Sequence, residues 1–464
     1  MTFHTGLQIV NHTPFKIVSG SISYLQKEVE HTGFNGDISW EVKEAEGTVT
    51  CQGPLDIAPN AWFDRHVELY AHSGTIMLPV TLTLENGQTF SFTINQKYAY
   101  QDVDTPISVA VTDKTPPPYE GAIGVTFTTR RDAEIEKTYN YGMVMVSIVD
   151  QQTTARWMTD NKRLDPYGIN QITLPGTHDT GTWSESGNAQ CQSMDLRHQL
   201  NAGIRFLDIR VEQLSNFGDE DMRIYHGIAE TDYYLEKDVI RICEAFLAQN
   251  PEETIVMMVS RNTHFLDSVV DWTHDQIIKL LGGTPVDDQY FHRLMANIIA
   301  RHPKISTGTA IPTVKDARGH IVLVTRYHQG PGIALPVKQW PDDTTGTIQL
   351  PGVAVEIQDM YKFGGAVNAG KVDNKWAVVE PHLDAARQLG NNDPSKWYIN
   401  FTSGSGNPGI FDPDDMAKGA DGINAKLDAY LAKHPKGYFG TVVMDFPEFP
   451  PPGDLIEKLI RSNP

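Results

Sequence analysis

The sequence predicts an α/β chain in two domains: an all-β sandwich over residues 1–150, followed by a distorted (β/α)8 barrel of the TIM type over 151–464. Three observations carry this prediction. Apolar residues alternate with polar ones at a period of two through the first 150 positions, with turn residues at short intervals. From about Thr153 onward, strand-like runs alternate with helix-like ones, about eight times. Polar residues then gather where the later strands stop, which in a parallel barrel is the catalytic face.

In the first domain, Leu7–Val10, Phe15–Val18, Ile38–Val42 and Val67–Tyr70 read as strands. The clearest unit runs from Val80 to Ile94. There Asn86-Gly87 between two alternating runs predicts a tight hairpin with positive φ in the turn. Gly142–Asp150 is the expected last strand, after the looser loop at Thr115–Glu120. Regular short strands without helices imply a sandwich.

The second domain is expected to place strands at Gln171–Leu174, Phe206–Gln213, Met222–Tyr225, Thr254–Val259, His320–Arg326, Ala354–Gln358, Trp397–Phe401 and Thr441–Met444. Helices are expected at Met194–Ala202, Tyr234–Gln249, Val270–Leu281, Trp376–Leu389, Met416–Lys433 and Leu455–Arg461. His178, Arg210, His226, Arg326, Asp359 and Asp445 all follow strands in this reading. Six such residues are more than the ordinary polarity of loops accounts for.

Composition narrows the function. With 464 residues and 40% hydrophobic content the chain has the balance of a soluble globular protein, and no run approaches the roughly 20 apolar residues of a membrane span. A formal charge of -20 argues against nucleic acid and against tight electrostatic docking on anionic lipid. Membrane contact would be transient and would use aromatic and apolar side chains. Trp62-Phe63, Tyr98, Tyr100 and Trp183 are the candidates, weighed against ordinary core packing.

Cys51, Cys191 and Cys243, odd in number and widely spaced, suggest neither a disulfide framework nor a zinc site. The start Met1–Thr5 lacks the pattern of a signal peptide. Acidic clusters at Gly218–Asp221 and Asp412–Asp415 read as turns and helix caps in preference to calcium sites. His198, His264 and His328 read as surface or packing residues.

The chemistry concentrates in Leu174-Pro-Gly-Thr-His178-Asp179-Thr-Gly181, in which a histidine and an aspartate leave a strand together. Phe206-Leu-Asp208-Ile-Arg210, Tyr225-His226-Gly and Met444-Asp445-Phe add a guanidinium, a second histidine and further carboxylates. Two histidines with an arginine and carboxylates are a kit for acid/base attack on a phosphate ester.

These motifs, with Val324-Thr-Arg326-Tyr, Ile357-Gln-Asp359-Met-Tyr361 and Trp397-Tyr-Ile-Asn400, occur in the order found in bacterial phosphatidylinositol-specific phospholipase C, and the sequence resembles that family from about Trp157 to the C-terminus. The resemblance implies cleavage of phosphatidylinositol to diacylglycerol and inositol 1,2-cyclic phosphate, by attack of the inositol 2-hydroxyl on phosphorus. It assigns the general base to His178, oriented by Asp445, and the general acid to His226, oriented by Asp179. Arg210 fits a clamp on the phosphate, flanked by Asp208. Arg326 and Asp359 are implied to bind ring hydroxyls, and Tyr361 to lie against the ring.

An arginine at position 210 looks like the metal-independent branch, so no obligatory cofactor is expected. Calcium stays open as the alternative, with Asp179, Asp208 and Glu212 as its candidate ligands. Where the family's fourth strand ends in lysines this chain has Ser260-Arg261, which puts a headgroup role for Arg261 in doubt. By resemblance the protein is expected to be a secreted monomer, with glycosylated phosphatidylinositol anchors as further substrates to test. Rival readings are a metal-dependent glycerophosphodiester or sphingolipid phosphodiesterase and a catalytically inactive lipid- or glycan-binding protein. The residues of 1–150 lie outside the resemblance and are expected to contribute nothing catalytic.

Overall fold

The structure is a computed structural model. It describes residues 3–12, 16–32, 39–48, 57, 62–69, 74–87, 89–98, 108–115, 123–129, 140–149, 154–183, 190–212, 221–226, 229–261, 288–327, 330–363, 369–405, 413–418, 421–449 and 454–464. The chain divides into two compact units, 1–151 with 451–454, and 152–450 with 455–464.

The first unit holds nine strands: β1 (Phe3–His12), β2 (Ile17–Thr32), β3 (Ser39–Thr48), β4 (Trp62–Leu69), β5 (Gly74–Leu84), β6 (Thr89–Tyr98), β7 (Ser108–Thr115), β8 (Ile123–Thr129) and β9 (Asn140–Val149). They form a four-stranded sheet in the order β4-β1-β9-β8 and a five-stranded sheet in the order β3-β2-β5-β6-β7. All pairs are antiparallel except β1 with β9.

The Asn86-Gly87 turn joins β5 and β6 as expected, with Gly87 at φ 84°. Only glycine adopts that backbone freely, so the turn closes without strain. Leu78, Val80, Leu82 and Leu84 on β5 and Phe90, Phe92 and Ile94 on β6 are buried, which is the period-two pattern made physical.

In the second unit the strands are β10 (Leu174–Thr177), β11 (Phe206–Glu212), β12 (Arg223–His226), β13 (Ala229–Tyr234), β14 (Ile255–Arg261), β15 (Ile305–Ser306), β16 (Ile321–Arg326), β17 (Ile333–Ala334), β18 (Thr345–Leu350), β19 (Val353–Gln358), β20 (Lys396–Phe401) and β21 (Thr441–Met444). Their main path is β15-β16-β14-β11-β10-β21-β20-β19-β18. The first long-range strand, β10, pairs in parallel with both β11 and the last strand β21, so the sheet must curl to bring the two ends of the unit together. Among the described residues no pairing joins β16 to β18 or β19, and the architecture is a mixed α/β fold around a curled, half-barrel sheet.

Several sequence expectations are corrected. The first strand begins at Leu174, because Ile169–Gln171 form a 3-10 turn. Asn170 anchors that turn by donating to the carbonyls of Pro394 and Lys396, while Ile169 and Ile172 plug the core. Met222–Tyr225 is not a strand of the main path. As β12 it turns back antiparallel on the last residues of β11 and continues into β13, so His226 arrives on a hairpin.

The Met416–Lys433 run breaks into helices Pro413–Ala417 and Ile423–Lys433, with Gly422 extended between them. A helix at Asp288–Arg301 went unread, although Phe291, Leu294, Met295 and Ile298 mark its buried face at helical spacing. The expected Val270–Leu281 helix, Cys51, Tyr100, His264 and His328 lie outside the described residues, as does all but Asp221 of the first acidic cluster. Asp221 caps the turn at Leu235, accepting from the amides of Glu236 and Lys237.

Candidate active site

Two strand ends that are neighbours in the curled sheet deliver the central pair. β10 and β21 run in register from Leu174 beside Thr441 to Thr177 beside Met444, so His178 and Asp445 leave the sheet side by side although 267 residues separate them. The residue after each turns into the left-handed region, with Asp179 at φ 40° and Phe446 at φ 43°. Such conformations cost on the order of 1–3 kcal/mol for a residue like phenylalanine and persist where surrounding contacts fix them. Here the side-chain amide of Asn424 donates to the carbonyls of both Asp445 and Phe446, and Gln192 donates to those of His178 and Met444. Gly176 lets β10 approach β11 closely, since a Cβ there would meet the Phe206 carbonyl at 3.1 Å.

His178 Nδ1 lies 2.8 Å from Asp445 Oδ1, and Arg210 Nη2 lies 2.6 Å from His178 Nε2. A guanidinium can only donate, so Nε2 carries the lone pair and Nδ1 carries the proton given to Asp445. That is the tautomer a general base at Nε2 requires. Burial alone would lower the pKa of His178. The Asp445 and Asp179 carboxylates together outweigh burial and Arg210, and the imidazole is held above its ordinary value. Burial in turn raises Asp445, with His178 opposing.

Arg210 leans on two carboxylates, with Nη1 2.9 Å from Asp179 Oδ2 and Nη2 3.1 Å from Asp208 Oδ2. Burial would depress the pKa of its guanidinium, but Asp179 and Asp208 raise it, so the charge is permanent. Burial would likewise raise Asp208, yet Arg210, His178 and Arg326 hold it below the usual carboxylate range. The Arg210 side chain remains 22% exposed, whereas Asp208 is fully buried.

Asp179 sits between the two histidines, its Oδ2 3.4 Å from Nε2 of His178 and 3.4 Å from Nε2 of His226. The rings of His178 and His226 stand edge to face with centroids 6.2 Å apart. Asp445 lies on the His178 nitrogen away from Arg210, and Asp179 approaches His226 at Nε2. The far nitrogen of His226, Nδ1, faces the buried thiol of Cys191 at 3.7 Å. Burial, with Asp445 and Asp179 adding to it, pushes the Cys191 thiol well up, so it stays protonated.

The expected ring-binding residues form the next cluster. The guanidinium of Arg326 lies 3.9 Å over the Trp340 ring and 3.9 Å from Asp359 Oδ2, and the Trp340 indole donates to the same carboxylate oxygen at 2.6 Å. Burial raises Asp359 and lowers Arg326. Tyr361 is half-buried at the rim, its hydroxyl donating to Asp342 and its amide to Asp343. Arg210 and Asp208 bear on the charge of Arg326, which puts the two clusters within one electrostatic field.

The candidate calcium ligands are engaged otherwise. Asp179 and Asp208 hold Arg210, and Glu212 accepts from Arg261 Nε at 3.2 Å. A guanidinium occupies the place where a cation would neutralise these carboxylates, so the donor set does not fit a resident metal. Arg261 is thereby tied to Glu212 and lies over the Phe291 ring.

His198 is buried with Asp195, which caps its helix. Trp183 packs half-buried against Tyr233, with centroids 4.3 Å apart, and so faces the core. Sequence reasoning missed Gln192, Asn424, Trp340 and Cys191. None sits in a motif, and only their distant partners mark them.

Residues 175–327 match the family model described as phosphatidylinositol-specific phospholipase C, X domain. The 1-phosphatidylinositol phosphodiesterase of Listeria monocytogenes is 27% identical over 337 residues, covering 70% of this chain and 90% of its own. That of Staphylococcus aureus (strain Newman) is 26% identical over 321 residues, covering 66% and 93%. A crystal structure of the S. aureus phosphatidylinositol-specific phospholipase C superposes with a TM-score of 0.52 at 23% identity, covering 68% of this chain and 99% of that one. Over about two thirds of its length, in sequence and in fold, this chain is similar to the bacterial phosphatidylinositol-specific phospholipases C.

Proposed function

We propose that this protein cleaves phosphatidylinositol to diacylglycerol and inositol 1,2-cyclic phosphate. The observation that carries the proposal is the placement of His178 between Asp445 and Arg210, which fixes its tautomer. Its Nδ1–H is given to Asp445 and its Nε2 lone pair points at the Arg210 guanidinium, with His226 across the site. The inositol 2-hydroxyl takes the place of the Arg210 N–H at Nε2 and gives up its proton there as its oxygen bonds to phosphorus. The bond from phosphorus to the glycerol oxygen breaks, and that oxygen receives a proton from His226, with Asp179 beside the same nitrogen. Arg210, released toward the phosphate, follows the charge growing on the non-bridging oxygens. Arg326, Asp359 and Tyr361 receive the ring.

No step needs a metal, because Arg210 supplies the positive charge among Asp179 and Asp208. The half-barrel sheet is read as a (β/α)8 barrel with one open seam, and the two sheets of the first unit as the faces of a sandwich. Every residue named in the site belongs to the second unit, which supports an accessory role for the first in interfacial binding or stability.

The test is turnover of phosphatidylinositol vesicles, followed by 31P NMR, with and without chelator. Cyclic inositol phosphate should form in both. Absence of a cyclic product, or activity that returns only with added calcium, would overturn this reading.

A further inference from the structure

The helix Ala369–Leu389 turns a buried stripe toward the sheet, made of Val372, Val379, Leu383 and Ala386. Lys375 lies in that stripe with 0% exposure, at a position where helical periodicity calls for an apolar side chain. Among the described residues no carboxylate lies within ion-pair distance of it. Its ammonium instead donates to the carbonyl of Met360 at 2.6 Å and to Gln358 Oε1 at 3.3 Å. Burying an ammonium without a bonded counter-charge is costly, and an apolar side chain of the same volume would be the more stable choice. The position therefore needs another explanation than packing.

The contacts of Lys375 supply one. Gln358 is the last residue of β19, and its amide is fully used: Oε1 also accepts from the amide of Met360, and Nε2 donates to Asn400 Oδ1 and to the carbonyl of Phe401. Lys375 closes this network from behind, gripping the residues on both sides of Asp359. Asp359 and Tyr361, one and three residues beyond β19, are the ring-binding groups of the site.

We propose that Lys375 is a positioning residue of the inositol subsite, fixing the Gln358–Met360 turn so that Asp359 and Tyr361 meet the headgroup, and thereby setting headgroup affinity and not the rate of proton transfer. This rests on the function proposed above. Asp359, Asp445 and Asp343 favour the charged form of the ammonium, although burial dominates and holds its pKa down to about 7. A cation behind Asp359 also steadies that carboxylate against the burial that raises it.

Lys375→Met keeps most of the apolar stem and removes the donors. For a soluble inositol phosphodiester it should raise KM, and for myo-inositol the inhibition constant, by about tenfold or more while kcat stays within about threefold, the pattern of lost uniform binding. Hydrogen–deuterium exchange over residues 357–363 should quicken, with β10 and β11 unchanged. If the methionine variant does not fold, Lys375→Gln carries the same test.

Unchanged KM, inhibition constant and exchange in a folded variant would overturn the inference. So would a loss confined to kcat, which would place Lys375 in the chemical step. Should the wild type fail to turn over any inositol phosphodiester, the functional reading fails, and the positioning claim then stands or falls on the exchange of 357–363 alone.

Discussion

Arg205, immediately before β11, and Arg210, toward its C-terminal end, lie five residues apart and are used in opposite ways. Arg205, at the N-terminal end, is fully buried and saturated. Nε and Nη2 donate to Glu253 at 3.0 and 2.8 Å, Nη1 to the carbonyls of Leu200 and Ile204, and Nη2 to that of Ala155. Glu253 accepts in addition from the amide and hydroxyl of Thr159.

Arg210, toward the C-terminal end, also lies among carboxylates, but among the described residues its Nε has no hydrogen-bond partner and neither has Asp208 Oδ1 nor Asp445 Oδ2. One network is closed and the other has unspent capacity. Buried polar groups left short of partners cost about 1–3 kcal/mol each, so they are kept where a substrate supplies the missing contacts. At the N-terminal end of β11 the buried charges are fully bonded, whereas at its C-terminal end they keep open positions of the kind the proposed substrate would fill.

The comparison breaks if the two ends respond alike to mutation. The largest loss of turnover is expected at the open end. His178→Ala and His226→Ala should each lower kcat by about 10² to 10⁴, and Arg210→Lys by about 10² to 10³, because each removes a group acting on the transition state. Melting temperatures should stay close to the wild type. Near-normal turnover by a stable His178→Ala or His226→Ala protein would sink the assignment.

Asp445→Asn should cost about 10² or more in kcat/KM through loss of the tautomer. Its pH profile adds a sign. Asp445 holds the pKa of His178 up, and a general base works only when deprotonated, so activity climbs with pH through that raised value. Removing the carboxylate lowers the pKa and should move the acid limb to lower pH. A limb that stays put, or moves upward, would mean that another group controls it.

At the closed end the pattern should invert. Glu253→Gln leaves the Arg205 cation buried without its counter-charge and should lower unfolding stability by about 3–5 kcal/mol, read from the urea midpoint. Turnover by the protein that remains folded should stay near the wild type. The smallest effect is expected from chelation, since Arg210 already neutralises Asp179 and Asp208. Loss of activity in chelator, restored by calcium, would show that the open end takes a cation after all.

Much of this was legible in the sequence where signals are local. The Asn86-Gly87 hairpin, the strands β11, β14, β16, β19, β20 and β21, and the helices at Leu196–Asn201 and Leu455–Ser462 follow from spacing alone, because periodicity records which side of a segment is buried. His178, Asp179, Asp208 and Arg210 stand in motifs at strand ends, where a barrel keeps its chemistry. The hairpin carrying His226 was misplaced because four residues, Arg223–His226, cannot declare whether they pair in parallel or fold back on a neighbour.

What the sequence determined by itself is therefore the set of candidate reacting groups and most of the segments that carry them. Only the tertiary structure decided which groups meet. The contact of His178 with Asp445, the placement of Cys191 behind His226, the amides of Gln192 and Asn424 that hold the two strained turns, the seat of Trp340 on Asp359 and the burial of Lys375 depend on sheet register between strands and helices far apart in the chain. Burial pattern is a property of one segment, whereas a hydrogen bond between segments is fixed by the curl that brings β10 beside β21.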